Sequence, residues 1–154
     1  MAVKKAPAKR AVRQKSARVP VVKTPKEIWK DVPDEHDYPA AESYLSLLMD
    51  LKLAKLVAKG LKKAPIEHHP AKDLLRASNL ALLPADDPAV MRDFAKVKAG
   101  DQLSPVLIVR GDARRGIHAT IADGYHRVCS SYHLSENEQI PCRIIDYPRG
   151  TAKK

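Results

Sequence analysis

The sequence predicts an α+β domain, and three observations lead to this fold class. Between residues 41 and 99, apolar residues recur with the three-to-four-residue spacing of helices that pack one face on a core. Beyond Gly100 the pattern changes to the continuous or alternating apolar runs that are typical of strands. A length of 154 residues with 44% apolar residues is sufficient for one domain with a hydrophobic core.

The net charge of +10 is concentrated at the N-terminus. Residues 1–26 hold nine of the 28 Lys and Arg residues and no acid, so 19 cations and 18 acids leave the rest at +1. The segment has three prolines and no aromatic residue, and it cannot bury enough apolar surface to fold. We predict a disordered basic arm that contacts nucleic-acid phosphates through residues 4–26, solubilises the protein or serves as an organelle-type leader.

Residues 27–64 are predicted to form a connector and a helical hairpin. The connector is rich in proline and acidic residues, and Trp29 is its anchoring aromatic side chain. Apolar spacing predicts one helix over 41–49 and a second helix after Asp50, whose carboxylate caps it. Gly60 and Pro65 end this hairpin.

Residues 65–147 are predicted to form the folded domain, and residues 148–154 a tail. Hydrophobic patterning, proline and glycine positions predict its elements in order: a strand over 66–69, a helix over 71–77, a helix from the Asp87 cap to about residue 98, a strand over 106–109, a turn over 111–116, a return strand over 117–122, a helix over 125–134, and a strand over 140–144.

The segment Gly124-Tyr125-His126-Arg127 lies where the predicted return strand passes into a helix. Gly124 allows the backbone to turn sharply or to approach a ligand closely. The first amides of a helix lack intrahelical acceptors and attract anions. Arg127 and His126 add donors suited to phosphate oxygens. We therefore predict a phosphate- or nucleotide-binding site at residues 124–127; the alternative is that His126 and Arg127 only satisfy neighbouring carbonyls or acids.

Three further residues are candidates for this site. Ser130 lies on the helix face between His126 and His133, and Lys72 can add positive charge from the predicted short helix. Asp123 is the tentative catalytic residue. Its carboxylate has three open roles: a helix cap, a metal-bridging ligand or general base, or neither of these.

Residues 103–146 resemble the ParB/sulfiredoxin-like superfamily. The resemblance covers Leu103–Val109, the glycine-containing turn, Asp123–Arg127, the helix to Leu134 and the strand from Ile140; sulfiredoxins carry Gly-Gly-Cys-His-Arg at the equivalent loop. It implies a ParB/sulfiredoxin-like small mixed sheet packed with helices, preceded here by the helical hairpin and the disordered basic arm. It also implies that His126 and Arg127 hold the phosphate groups of a nucleotide. The cofactor that we expect is therefore a nucleotide with Mg²⁺.

Two departures from that family limit the functions that the resemblance implies. Tyr125 stands where sulfiredoxins have their catalytic cysteine, so sulfinic acid reduction is not expected, and Cys129 is not a positional substitute. The family's ATP-holding lysine, serine and threonine correspond to Val90, Asp93 and Val97. The identity of the nucleotide, and whether the domain is an enzyme, therefore stay open.

The sequence thus predicts a nucleotide- or phosphate-binding domain. The alternatives are a DNA-associated accessory protein that uses its basic arm, with the domain as a partner or dimerisation module, and a decayed pocket that binds protein alone.

Cys129 and Cys142 are predicted to be buried thiols, and neither has the spacing of a zinc site. A secretory signal and a membrane-spanning apolar stretch are both missing, so we expect a cytoplasmic protein without membrane contact.

Overall fold

The computed structural model describes residues 2–3 and 26–148, so the predicted basic arm and the predicted tail lie almost entirely outside the described residues. The elements are, in order, β1 (Ile28–Trp29), α1 (Asp37–Leu45), α2 (Leu51–Lys63), β2 (Ile66–Pro70), α3 (Ala71–Ser78), α4 (Pro88–Ala99), β3 (Gln102–Leu103), β4 (Val106–Val109), a 3-10 helix (Ala113–Arg115), β5 (Thr120–Asp123), α5 (Tyr125–Leu134) and β6 (Gln139–Ile145). This mixture of helices and two small sheets agrees with the predicted α+β class.

The main sheet has four strands in the order β2-β6-β4-β5. Strands β4 and β6 are parallel, whereas β2 is antiparallel to β6 and β5 is antiparallel to β4. All four residues of β4 are buried, as the continuous apolar run 106–109 predicts for a strand covered on both faces.

Helices cover both faces of this sheet. Successive residues of β4 point to opposite faces, and they belong to two different hydrophobic clusters. Val106 and Ile108 belong to the first cluster, which also contains buried residues of α3, α4 and α5. Leu107 and Val109 belong to the second cluster, with buried residues of α1 and α2. No helix within residues 26–148 is both long enough and apolar enough to cross a membrane.

Several helix ends lie where the sequence predicts them. The Asp50 carboxylate accepts a hydrogen bond from the Leu53 amide at 2.9 Å and caps α2. Asp87 caps α4 in the same way, and Gly100 ends that helix in the left-handed conformation, with φ 79°. Helix α1 begins earlier than predicted, at Asp37, since Pro39 lies in its first turn, where proline is tolerated, and it ends earlier, at Leu45. The predicted stop at Gly60 is wrong, because α2 continues through this residue to Lys63.

The return strand of the predicted β-hairpin begins later than the sequence predicts. Residues 117–119 are not part of β5, and Ile117 forms only an isolated bridge with Asp112. The Ala119 amide donates to the Ala77 carbonyl of α3 at 3.0 Å. This part of the chain is therefore bonded to a helix rather than to β4, which alternating hydrophobicity alone does not reveal.

A second sheet, which sequence patterning missed, ties the N-terminal connector to the domain. Strand β1 pairs in parallel with β3, with Trp29 opposite Leu103. Trp29 also packs against the first hydrophobic cluster, as its predicted role as an anchor requires. Two-residue strands carry too little periodicity to be recognised in a sequence.

Candidate functional site

The predicted strand-to-helix junction is present. Strand β5 ends at Asp123, Gly124 adopts a left-handed conformation with φ 105°, and α5 begins at Tyr125. The Val128 amide bonds back to the Gly124 carbonyl at 3.1 Å, and no side chain of residues 26–148 caps the helix. The amides of residues 125–127 consequently have no acceptor within α5 and are available to a ligand.

Arg127 does not extend into solvent but folds back over Gly124. A Cβ atom at Gly124 would lie 2.9 Å from Arg127 Nη2 and 2.9 Å from Val106 Cγ2, so only glycine fits there. Arg127 Nη2 donates to Asp123 Oδ2 at 2.6 Å, and its Nη1 lies 3.6 Å from Asp37 Oδ2. With its side chain only 15% exposed, the guanidinium is held between two carboxylates, as the structural alternative for Arg127 predicts.

Asp123 does not cap α5, so that one of its three possible roles is wrong. Its carboxylate faces the Arg127 guanidinium instead, and the position preceding α5 is occupied by Gly124. Burial raises the pKa of Asp123, an effect that the Arg127 charge opposes and the Asp37 charge reinforces. A role as metal ligand or general base is compatible with this position.

A cleft of about 260 Å³ lies beside Gly124 and Arg127. We call it the α5 cleft, and its lining comes from the start of α1, from α4 and from the β5–α5 junction: His36, Asp37, Ala40, Asp93, Asp123, Gly124, His126 and Arg127. With neutral histidines, three aspartates and one arginine give this lining a net charge of −2. The α5 cleft is thus acidic, whereas the sequence predicted a phosphate- or nucleotide-binding site with one acid, Asp123, beside it.

Asp37 is the most buried acid of the α5 cleft, at 3% exposure. The Ser104 hydroxyl donates a short hydrogen bond to its Oδ2, and His36 Nε2 lies 3.3 Å from its Oδ1. Single ligand atoms of Asp34, His36 and Asp37 all lie within 4.8 Å of one another, a spacing that suits one metal ion. The sequence analysis assigned these residues to a connector and did not predict them as ligands. The Asp-x-His-Asp pattern at residues 34–37 is the sequence feature that indicates a possible metal-ligating group.

Two charge contacts distinguish the acids around the α5 cleft. Lys30 donates to Asp34 at 2.6 Å and holds the pKa of Asp34 below its ordinary value. Asp93 is 7% exposed, and its nearest cation within residues 26–148 is Lys96, 3.8 Å away. Burial raises the pKa of Asp93, although Lys96 opposes this shift. Among the described residues, Asp93 therefore lacks the side-chain hydrogen bond that Asp34, Asp37 and Asp123 each accept.

Four of the predicted site residues meet in the α5 cleft: Asp123, Gly124, His126 and Arg127. The Tyr125 side chain does not line the α5 cleft, and its hydroxyl donates a short hydrogen bond to the Ala81 carbonyl. Only the Tyr125 amide remains at the helix start. The His126 side chain is exposed, and its ring lies 5.7 Å from the Tyr125 ring.

The other two predicted site residues, Ser130 and Lys72, do not line the α5 cleft. Ser130 is fully buried, and its hydroxyl donates to the Arg127 carbonyl at 2.9 Å, so it satisfies the helix backbone. Lys72 lines a separate cleft with Leu75 and Tyr132. Its charge therefore does not contribute to the predicted phosphate site.

Both cysteines are buried, as predicted. Burial raises the pKa of the Cys129 thiol, and it raises the pKa of Cys142 to about 12. Neither thiol is consequently ionised near neutral pH, and neither can act as an exposed nucleophile.

Comparison of the chain with protein-family models, curated proteins and solved structures finds no significant match.

Proposed function

We propose that the protein binds a phosphate-bearing small molecule, such as a nucleotide, together with a divalent cation in the α5 cleft. The observation that carries this proposal is that one cleft is lined both by residues at the start of α5, a helix without a side-chain cap among the described residues, and by three aspartates. Helix N-termini attract phosphate oxygens, and carboxylates are the ligands that Mg²⁺ prefers.

The cation is required by the charge of the α5 cleft. Arg127 is already engaged by Asp123 and Asp37, so it contributes little free positive charge. A phosphate entering alone would meet a lining of net charge −2. A divalent cation offsets this charge and bridges the carboxylates to phosphate oxygens, as in many phosphate-binding sites.

The Asp34, His36 and Asp37 group, whose ligand atoms lie within 4.8 Å of one another, is one candidate for holding the cation, and Asp93 and Asp123 of the cleft lining are the other. Burial raises the pKa of Asp93 and of Asp123, because each carboxylate loses solvation that no close cation fully replaces. A bound divalent cation stabilises the ionised carboxylates and displaces their protons. Cation affinity should accordingly rise with pH as Asp93 and Asp123 lose their protons.

If Asp93 rather than Asp123 contacts the cation, the catalytic role falls to Asp123, because a carboxylate that coordinates the cation cannot also accept a proton. Asp123 lies at the end of β5 in the lining of the α5 cleft, and its raised pKa favours proton acceptance nearer to neutral pH. Sulfinic acid reduction is not proposed, because Tyr125 supplies no thiol and Cys129 is buried.

A ParB/sulfiredoxin-like arrangement of residues 65–147 is the fold that we associate with this function. The support is the small mixed sheet, the helices on it and the position of residues 124–127 at a strand-to-helix junction. Helices α1 and α2, on the second hydrophobic cluster, are then the N-terminal helical addition to that fold.

Isothermal titration calorimetry of the full chain tests the proposal with ATP, CTP and GTP, each in excess Mg²⁺ and each in EDTA. We expect at least one nucleotide to bind in Mg²⁺ and to lose most of its affinity in EDTA. The variant Asp93→Asn should also lose affinity, whereas the matched variant Asp101→Asn, at an exposed acid just beyond α4, should not. Equal binding in Mg²⁺ and EDTA, or equal binding by both variants, contradicts the proposal.

A second candidate function, association with DNA, is favoured by the charge distribution. Nine cations and no acid lie within residues 1–26, while residues 27–154 carry a net charge of only +1. Phosphate contacts by such an arm weaken steeply as salt increases. Deleting residues 1–26 should abolish retention of a DNA duplex in 50 mM salt; retention that persists after the deletion excludes the arm as the DNA contact.

A further inference from the structure

A larger cleft lies between α3 and the segment that connects β4 to β5. Its volume is about 560 Å³, within the range of about 300–1,000 Å³ that is usual for small-molecule sites. The side chains of Leu74, Ile108, Ile117 and Ile144 form an apolar interior. We call it the α3 cleft.

The wall of the α3 cleft is held in place by two backbone features. The Ala119 amide donates to the Ala77 carbonyl at 3.0 Å and joins the connecting segment to α3. Gly111 packs so closely on the same segment that a Cβ atom would lie 2.4 Å from the Ile117 carbonyl oxygen. The cleft is consequently a preformed feature of the fold, as small-molecule sites usually are.

The lining of the α3 cleft has a net charge of +1 with neutral histidines, because Arg76 is paired with Asp73 at 2.9 Å and Arg110 is the second arginine. Arg110 also lines an adjoining cleft of about 740 Å³ with Arg114 and Arg115. Across both clefts, four arginines face three acids, which gives a net charge of +1 with neutral histidines. This sign is opposite to the net charge of −2 in the α5 cleft.

Arg110 can exchange its present partners for a ligand. Its Nε lies 2.9 Å from Asp146 Oδ1 and its Nη2 lies 3.9 Å from Glu67 Oε2, but the side chains of Arg110, Asp146 and Glu67 are 53%, 87% and 42% exposed. Exposed ion pairs of this kind contribute only about 0–1 kcal/mol. An anion that is partly desolvated by the apolar interior can therefore replace Asp146 at small cost.

The α3 cleft is separate from the α5 cleft. Val106, at the start of β4, contacts Gly124, whereas Arg110 directly follows Val109 at the other end of that strand. Four residues of a β-strand span roughly 13 Å. A ligand of moderate size in one cleft does not reach the other.

We propose that the α3 cleft binds a small organic anion, with an aromatic or alkyl body on the apolar interior and a carboxylate or phosphate group at Arg110. The apolar lining supplies affinity through burial, and the arginine selects anions from neutral molecules of the same shape. This site does not depend on the proposed cation-dependent site.

Saturation-transfer NMR with the full chain tests the proposal with three probes of similar size: phenylacetate, phenyl phosphate and neutral benzyl alcohol. We expect at least one anion to bind more tightly than benzyl alcohol, and the preferred anion identifies the head group. Arg110→Gln should lower the affinity of that anion about tenfold, as loss of a charge-assisted hydrogen bond predicts, and leave benzyl alcohol unchanged.

A cavity-filling variant gives an independent test of the same location. Ala77 lines the cleft on the exposed side of α3, so Ala77→Leu should block it without disturbing the core. Ala99→Leu, at an exposed position of α4, is the matched control and should bind the anion as the wild type does. Failure of both anions to bind, or undiminished binding by Ala77→Leu, overturns the proposal.

Discussion

Glu27 is a buried acid whose titration should control the stability of the domain. Its side chain is 6% exposed, Oε2 accepts a hydrogen bond from the Ser131 hydroxyl at 2.9 Å, and Oε1 has no partner among the described residues. Burial is the main reason that the pKa of Glu27 rises from 4.5 to about 7; the charges of Glu138 and Asp93 add to the rise, and Ser131 opposes it.

The sign and size of the effect follow from this pKa. Because the pKa of Glu27 is higher in the folded protein, its stabilising contribution is complete below pH 4.5 and is lost as the pH rises through about 7. At 1.36 kcal/mol per pKa unit, the contribution lost is about 3 kcal/mol. Glu27→Gln keeps the shape and an acceptor for Ser131 but cannot ionise. At pH 8, we expect the free energy of unfolding of this variant to be about 1–3 kcal/mol higher than that of the wild type.

Urea denaturation between pH 4 and pH 8 measures this difference. Trp29, the single tryptophan, lies two residues from Glu27 and packs on the first hydrophobic cluster, so its fluorescence reports unfolding. Glu136→Gln, at an exposed glutamate, is the matched control and should follow the wild type throughout. Parallel pH profiles for the wild type and Glu27→Gln would refute the reasoning.

Three further predictions concern the α5 cleft and the core. Arg127→Ala should lower the free energy of unfolding by about 2–4 kcal/mol, because it removes the cation shared by the buried Asp37 and the half-buried Asp123; Arg92→Ala, at an exposed arginine, should cost under about 0.5 kcal/mol in the same urea titration. Gly124→Ala should lower the melting temperature more than Gly116→Ala, since both glycines have positive φ but only Gly124 lacks space for a Cβ atom. Neither cysteine should react with Ellman's reagent until the protein unfolds, and rapid reaction in the folded state would contradict their burial.

Local chemistry allowed much of the fold to be predicted. The caps at Asp50 and Asp87 and the stop at Gly100 are decided by a few neighbouring residues, and the structure has all three. The buried strand 106–109 was recognisable from its unbroken apolar run. The pairing of β1 with β3 was not, because it joins residues more than 70 positions apart through strands of two residues.

The chemistry of the site was harder to predict than its position. The strand–glycine–helix junction at Gly124 follows from local sequence, and it lies where predicted. The charge of the cleft depends on Asp37 and Asp93, which reach it from α1 and α4. Arg127 meets Asp123, four residues earlier in the chain, and Asp37 from α1. Only the Asp37 contact is a long-range effect that spacing along the chain does not encode.

Paramagnetic broadening by Mn²⁺ tests the central claim most directly, because it locates the cation. In a ¹H–¹⁵N correlation spectrum of the full chain with a saturating nucleotide, substoichiometric Mn²⁺ should broaden the amide signals of residues 93 and 123–127 first. Signals of residues 110–118, beside the α3 cleft, should remain sharp at the same Mn²⁺ concentration. Uniform broadening, or broadening that spares residues 123–127, would contradict a cation-dependent phosphate site at the start of α5.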